Sequence, residues 1–223
     1  MVSKSKNINR KRSRPISPKK TIPNIKIIGI LIVILIIVII SVVYVFLGSD
    51  SENNNGIEDE NPIALINTSK GIIEIELFVD KVPNTCNNFI KLVNDGFYDG
   101  LIFHRISDDF MIQGGLMYPD GSTKESPYGP IDLEINPEVR HVDGAISMAR
   151  TNNPNSATSQ FFICDGAQPN LDDSYAVFGV TISGIDVVRD IADDEHDQSL
   201  EPNPGGGKPI VDIIINSINI ENQ

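Results

Sequence analysis

A chain of 223 residues has room for one domain of ordinary size with appendages. Its net charge of −12 averages two unlike parts: 9 of the 18 basic residues lie in the first 26 positions with no acid among them, and all 30 acids lie beyond residue 48, leaving the remainder at 9 − 30 = −21. So acidic a remainder excludes nucleic-acid binding through counterion release, and two scattered cysteines, Cys86 and Cys164, are too few for a disulfide framework or a zinc centre.

Residues 1–26 form a basic tail, from Lys4 to Lys26. Residues 27–47, "IIGILIVILIIVIISVVYVFL", follow without a charge. As a helix these 21 residues would be about 31 Å long, against a hydrocarbon core of about 30 Å, which predicts a transmembrane helix. A cleaved signal peptide has a shorter apolar region, about 7–15 residues, and a small-residue cleavage site. The sequence "VYVFLGSD" offers no such site, and no cysteine follows to take a lipid, so a retained anchor is expected. Basic flanks stay in the cytoplasm. The other flank carries Asp50, Glu52, Glu58, Asp59 and Glu60, which places the N-terminus inside and the rest outside the cell membrane, a single-pass topology.

Residues 48–61, "GSDSENNNGIEDEN", are polar, acidic and without periodicity, as a flexible linker is. A folded domain is expected over 62–222. It opens on a hairpin: "IALIN", the turn "TSKG", then "IIEIELFV", in which Ile73, Ile75, Leu77 and Val79 alternate with Glu74 and Glu76. In "PNTCNNFIKLVNDG", Cys86, Phe89, Ile90 and Val93 recur at helical spacing, with Asn84 or Thr85 to cap and Gly96 to terminate. Short β runs follow at "LIFHRI", "FMIQGG", "GAISMA", "SQFFIC" and "YAVFGVTI". A second helix, "GIDVVRDIA", precedes a last strand in "PIVDIIINSINI". Many short strands with only two helices predict an antiparallel barrel or sandwich, and periodicity alone does not choose between them.

The chemistry-bearing residues are sparse. Three histidines, His104, His141 and His196, accompany no G-x-S-x-G elbow, and both cysteines sit among apolar neighbours, which argues against nucleophilic hydrolysis. His104 and Arg105 are adjacent in a strand and point to opposite faces, so His104 reads first as a structural histidine. "DDEHDQ", residues 193–198, lacks the glycine and distal glutamate of a calcium loop and reads as a solvated acidic loop.

Three stretches remain: "FHRISDDFMIQGG" (103–115), "SMARTNNPNSATSQFFI" (147–163) and "NLDDSYAVFG" (170–179). In order and spacing they resemble the signature segments of the cyclophilin family of peptidyl-prolyl cis-trans isomerases, in the dialect of its bacterial and archaeal members. The resemblance spans nearly all of 62–222. It implies a mainly β fold: a closed eight-stranded antiparallel β-barrel capped by two helices, with the site on its outer surface. It also implies rotation of X-Pro bonds without a cofactor, in a monomeric catalytic domain whose partners are proline-containing polypeptides. Outside the cytoplasm that would assist folding of exported proteins. By the same resemblance Arg105 is the catalytic arginine and Gln113 orients it, while Phe110, Met111, Phe162 and Leu171 form the proline pocket. The backbone of Arg150, flanked by Ala149 and Thr151, tethers substrate. Gln160 falls on a site position, His104 on the site's edge, and Phe161 alternates into the core.

These residue types suit the reaction. The barrier to turning a peptide bond is about 18–20 kcal/mol, set by resonance, and no bond is cleaved. A permanently charged donor aimed at the pyramidal nitrogen favours the twisted amide over both planar forms. Departures from the family pattern modify the expectation. Asn170 stands where many members have tryptophan, so weak cyclosporin binding is expected. Tyr175 replaces a frequent histidine and is retained as a pocket member, and "LMYPDGST" replaces a glycine-rich turn, which points to a different substrate preference. A low-turnover module that binds proline segments as a chaperone, or a barrel that only docks partners, are the alternative readings.

Overall fold

The computed structural model describes residues 35–39, 61–200 and 205–222. The chain divides into two compact units, Met1–Ile57 and Glu58–Gln223. In the first, residues 35–39 are helical (α1) and exposed. The basic tail, the linker up to residue 60 and the rest of the predicted span lie outside the described residues. Among the described residues no helix is long and apolar enough to cross a membrane.

The second unit is built on eight strands: β1 (Ile63–Thr68), β2 (Ile72–Leu77), β3 (Arg105–Ser107), β4 (Met111–Gly114), β5 (Ala145–Met148), β6 (Phe161–Cys164), β7 (Val177–Ser183) and β8 (Ile215–Glu221). They form one antiparallel sheet in the order β3-β4-β6-β5-β7-β2-β1-β8. The predicted hairpin is β1–β2, with Ile73, Ile75 and Leu77 wholly buried, whereas Val79 lies past the strand's end and only partly covered. Two helices accompany the sheet, α2 (Pro83–Asn94) and α3 (Ile185–Ala192), with a 3-10 turn at Pro169–Leu171.

The expected closed barrel is instead an open, curled sheet: β3 and β8 share no ladder. The physical reason lies in how "LIFHRI" spends its backbone groups. Ile102 makes isolated bridges to Met117 and Ile214, and the Phe103 N–H donates to the Ile213 carbonyl at 3.0 Å. Only Arg105–Ser107 remains as strand, and its free edge is occupied by a loop: Ile106 and Gly207 exchange backbone bonds of 2.9 and 3.1 Å. That loop approaches so closely that a Cβ on Gly206, at φ +86°, would lie 2.0 Å from the Ile106 carbonyl oxygen.

Both faces of the sheet are apolar, which its alternation allows. Ile106, Ile112, Ile146, Phe161 and Ile163 face the main core with Phe89 and Leu92 of α2 and Val188 and Ile191 of α3. Met111, Ala145, Phe162, Cys164 and Val177 form a second cluster. Adjacent residues Phe161 and Phe162 thus belong to different clusters, as strand alternation predicts. On α2 the buried face includes Leu92, and Ile90 is only partly covered. Neither Asn84 nor Thr85 caps the helix; Pro83 opens it, and the Glu134 carboxylate accepts the Thr85 N–H at 2.8 Å and the Asn84 N–H at 3.3 Å. A carboxylate there answers the exposed N–H groups and positive end of the helix.

Candidate active site

Strand register assembles the site. Arg105 pairs with Gln113, Gln113 with Phe162 and Phe162 with Ser147, so one row crosses β3, β4, β6 and β5 on a common face. Met111, two residues from Gln113, pairs with Cys164 in the next row on that face. Beyond β5 the chain supplies Ala149 and Arg150, and the segment around the 3-10 turn supplies Leu171 and Tyr175. Together Arg105, Phe110, Met111, Gln113, Ala149, Arg150, Phe162, Leu171 and Tyr175 line a groove of about 260 Å³. That is below the roughly 300–1,000 Å³ of sites for drug-sized ligands, and suits a group the size of one residue.

The sequence-predicted residues outside this lining are His104, Thr151 and Gln160. Gln160 is joined to the site, accepting a 3.0 Å hydrogen bond from Gln113 Nε2 on its Oε1. The neighbouring Gly115, at φ +87°, lets β4 lie against this stretch: a Cβ there would meet the Ser159 carbonyl oxygen at 2.5 Å. Thr151 is exposed and accepts a bond from Arg150 Nη1 at 2.8 Å on its carbonyl. His104 is half-buried with Nδ1 unpartnered, and burial pushes its pKa down to about 4, so it is neutral near pH 7.

Arg105 is held from one side only. Its Nη2 donates to the Gly205 carbonyl at 3.0 Å, its guanidinium lies 5.7 Å from the Phe110 ring centre, and its buried Nε–H has no partner among the described residues. Burial lowers its pKa, opposed by Tyr175, yet an arginine keeps its proton at any accessible pH. The aromatic wall is mutually fixed. Phe162 meets Tyr175 edge-on at 5.8 Å and 86°, and Tyr175 lies under the Arg150 guanidinium at 4.6 Å.

Sequence reasoning missed the support beneath Phe162. His141 stacks on it, with Nδ1 2.9 Å from Asp172 Oδ1 and Nε2 3.1 Å from Ser147 Oγ. Burial lowers the His141 pKa despite Asp172. Only the place of Ser147 and Asp172 inside the signature stretches hinted at this. Gly205, which orients Arg105, had no local signal at all.

For metals, the described residues offer one group, Asp108, Asp109 and Asp165, with carboxylate oxygens within 4.8 Å of one another. Asp165 already accepts the Asp109 N–H at 3.0 Å and faces Arg189 Nε at 3.8 Å. In "DDEHDQ", Asp197 Oδ1 accepts the N–H groups of Ser199 and Lys208, each at 3.0 Å, which makes the stretch a turn.

An arginine and a glutamine beside a residue-sized groove with an aromatic wall, on an eight-stranded antiparallel sheet, form the candidate site. Sequence comparison agrees: residues 63–220 match the family described as cyclophilin type peptidyl-prolyl cis-trans isomerase/CLD, and the chain belongs to that family. The peptidyl-prolyl cis-trans isomerase ppi1 of Schizosaccharomyces pombe is 42% identical over 142 residues, covering 61% of this chain and 91% of the relative. A peptidyl-prolyl cis-trans isomerase of Synechococcus elongatus is 46% identical over 118 residues, covering 53% of this chain and 79% of the relative. Among solved structures, a cyclophilin type isomerase of Cryptosporidium parvum, crystallised in the presence of the dipeptide Ala-Pro, superposes with a TM-score of 0.64 at 36% identity. The match covers 71% of this chain and 98% of that one. The protein is a cyclophilin-type peptidyl-prolyl cis-trans isomerase.

Proposed function

We propose that Arg105 is the catalytic group of this isomerase and that the groove beside it holds the proline ring. The unpartnered Nε–H of Arg105 carries the reading: a buried donor without an acceptor is costly, and the lone pair of a pyramidal prolyl nitrogen would satisfy it. Gln113, tied to Gln160, holds the substrate backbone beside the guanidinium. Phe110, Met111, Phe162 and Leu171 grip the ring while the preceding carbonyl turns, and the backbone of Arg150 tethers the peptide. Water exclusion by this wall strengthens the hydrogen bond to the twisted amide.

The test is a prolyl-peptide isomerisation assay on residues 50–223. The unaltered protein accelerates exchange, and Arg105→Ala loses about ten- to a hundredfold, the value of one hydrogen bond to a charged group. Equal rates for the two proteins would overturn the assignment. Full biological activity in Arg105→Ala would favour the low-turnover binding module instead.

The proposal extends to place. The uncharged run 27–47 and the basic tail support a single-pass anchor with the N-terminus cytoplasmic and the isomerase outside, acting on exported polypeptides. Protease added to intact cells would digest an exterior domain, and protection would reverse the topology. Asn170 supports weak cyclosporin binding by a monomeric catalytic domain, and titration calorimetry and sedimentation measure these. The bacterial and archaeal kinship rests on the motif dialect alone.

A further inference from the structure

Among the described residues of the second unit, five basic side chains, Lys70, Lys81, Arg140, Arg189 and Lys208, lie within ion-pair distance of a carboxylate. Lys91 and Lys124 lie over aromatic rings instead. The remaining two are Arg105 and Arg150, and both line the groove. In a part of the chain with acids in large excess, this one groove keeps two guanidiniums and no carboxylate partner for either.

Arg150 is also set in place before any peptide arrives. Its Nε donates to the Ser174 carbonyl at 2.9 Å, its Nη1 donates to the Thr151 carbonyl at 2.8 Å, and the Tyr175 ring supports its face. The cost of ordering a long side chain has thus been met. Arg150 lines the groove, and its Nη2, with two N–H donors, makes no hydrogen bond among the described residues. Arg105 stands on β3, and β5, which leads into Arg150, is three strands away in the sheet. At about 4.8 Å per strand that is roughly 14 Å, or about four residues of extended chain, less the reach of the two side chains.

Resting on the isomerase reading above, we infer that the Arg150 side chain selects substrates carrying a carboxylate side chain within about three residues of the X-Pro bond. The free Nη2 of a fixed guanidinium donates a charge-assisted hydrogen bond to a carboxylate, and its positive charge repels a lysine placed there.

The experiment measures kcat/KM of the full chain in detergent on peptides that carry Glu or Gln at each of three positions on either side of the X-Pro pair. Glu exceeds Gln by about three- to tenfold at one position or two adjacent ones. The ratio falls toward one in 1 M salt and in Arg150→Gln, and Arg150→Lys keeps part of it. A ratio near one at every position overturns the inference, as does a preference that survives Arg150→Gln. The salt series on the unaltered chain decides the matter even if the variants fold poorly: a preference indifferent to salt is not this ion pair. Absence of turnover on every peptide overturns the isomerase reading, and this inference with it.

Discussion

The imidazole of His141 lies flat against the ring of Phe162, the centroids 5.9 Å apart and the planes 7° from parallel. The same ring joins Asp172, which follows Leu171, to Ser147, which sits opposite Phe162 on β5. One buried side chain therefore braces two walls of the groove. The Ser–His–Asp order resembles a hydrolytic triad, but Ser147 is wholly buried and His141 is 2% exposed, so no substrate reaches them. The chemistry is structural.

His141→Ala removes the stack and leaves the buried Ser147 hydroxyl without this partner, whereas Asp172, partly exposed, keeps the bond from the backbone N–H of residue 141. One buried unsatisfied group costs about 1–3 kcal/mol and the lost stack adds about 0.5–1.5 kcal/mol, so a loss of about 2–4 kcal/mol is expected. Urea unfolding measures it. In kinetics the variant raises KM more than it lowers kcat, because the wall loosens while Arg105 stays.

Arg105→Lys tests whether charge alone suffices. An ammonium cannot bond the Gly205 carbonyl and still present a second, fixed N–H to the peptide nitrogen. Its kcat/KM should fall by about tenfold or more, approaching Arg105→Ala. Gly206→Ala approaches the same failure from outside the groove. Its Cβ would collide with the Ile106 carbonyl and strain a positive φ, at a cost of about 1–3 kcal/mol. Moving that loop withdraws Gly205 from Arg105, so activity drops although no groove residue changes.

What the sequence made legible follows from how local each signal is. The β1–β2 hairpin was visible because Glu74 and Glu76 alternate with buried isoleucines, and the site strands were visible because Arg105, Gln113 and Phe162 lie in long matching stretches. Openness of the sheet was not visible. It depends on Gly207 taking the edge of β3 across about a hundred residues, a pairing without a periodic signature. The α2 cap failed for the same reason: Glu134 reaches Thr85 from 49 residues away and displaces the local candidates. His141, in "VRHVDG", carries no pattern of its own; its importance is created by the register of β5 against β6.

The pH response separates stability from catalysis. Burial depresses the pKa of both His104, to about 4, and His141, against about 6.5 in an unfolded chain. Between those values the unfolded state binds more protons, so stability rises with pH and is lost as pH falls from about 6.5 toward 4. Urea midpoints at several pH values measure this, and His104→Gln should flatten the slope. Catalysis by an arginine needs no titrating group near neutrality, so kcat/KM should be level between about pH 7 and 9. A bell-shaped profile in that range would count against rotation by Arg105 and in favour of acid–base chemistry.

The two cysteines offer the last check, because the fold assigns them to different apolar clusters. Cys86 belongs to the main core and donates its S–H to the Phe178 carbonyl at 3.4 Å, whereas Cys164 belongs to the cluster beneath the groove. Both are free and buried, and burial pushes each thiol up to about 12. The thiolate is the reactive form, so a thiol reagent at pH 8 should find neither in the folded protein and both after denaturation. Reductant should leave the melting temperature unchanged even in an oxidising exterior. A shift on reduction would mean that the pair can bridge, which requires the elements carrying them to separate from their clusters and rearrange.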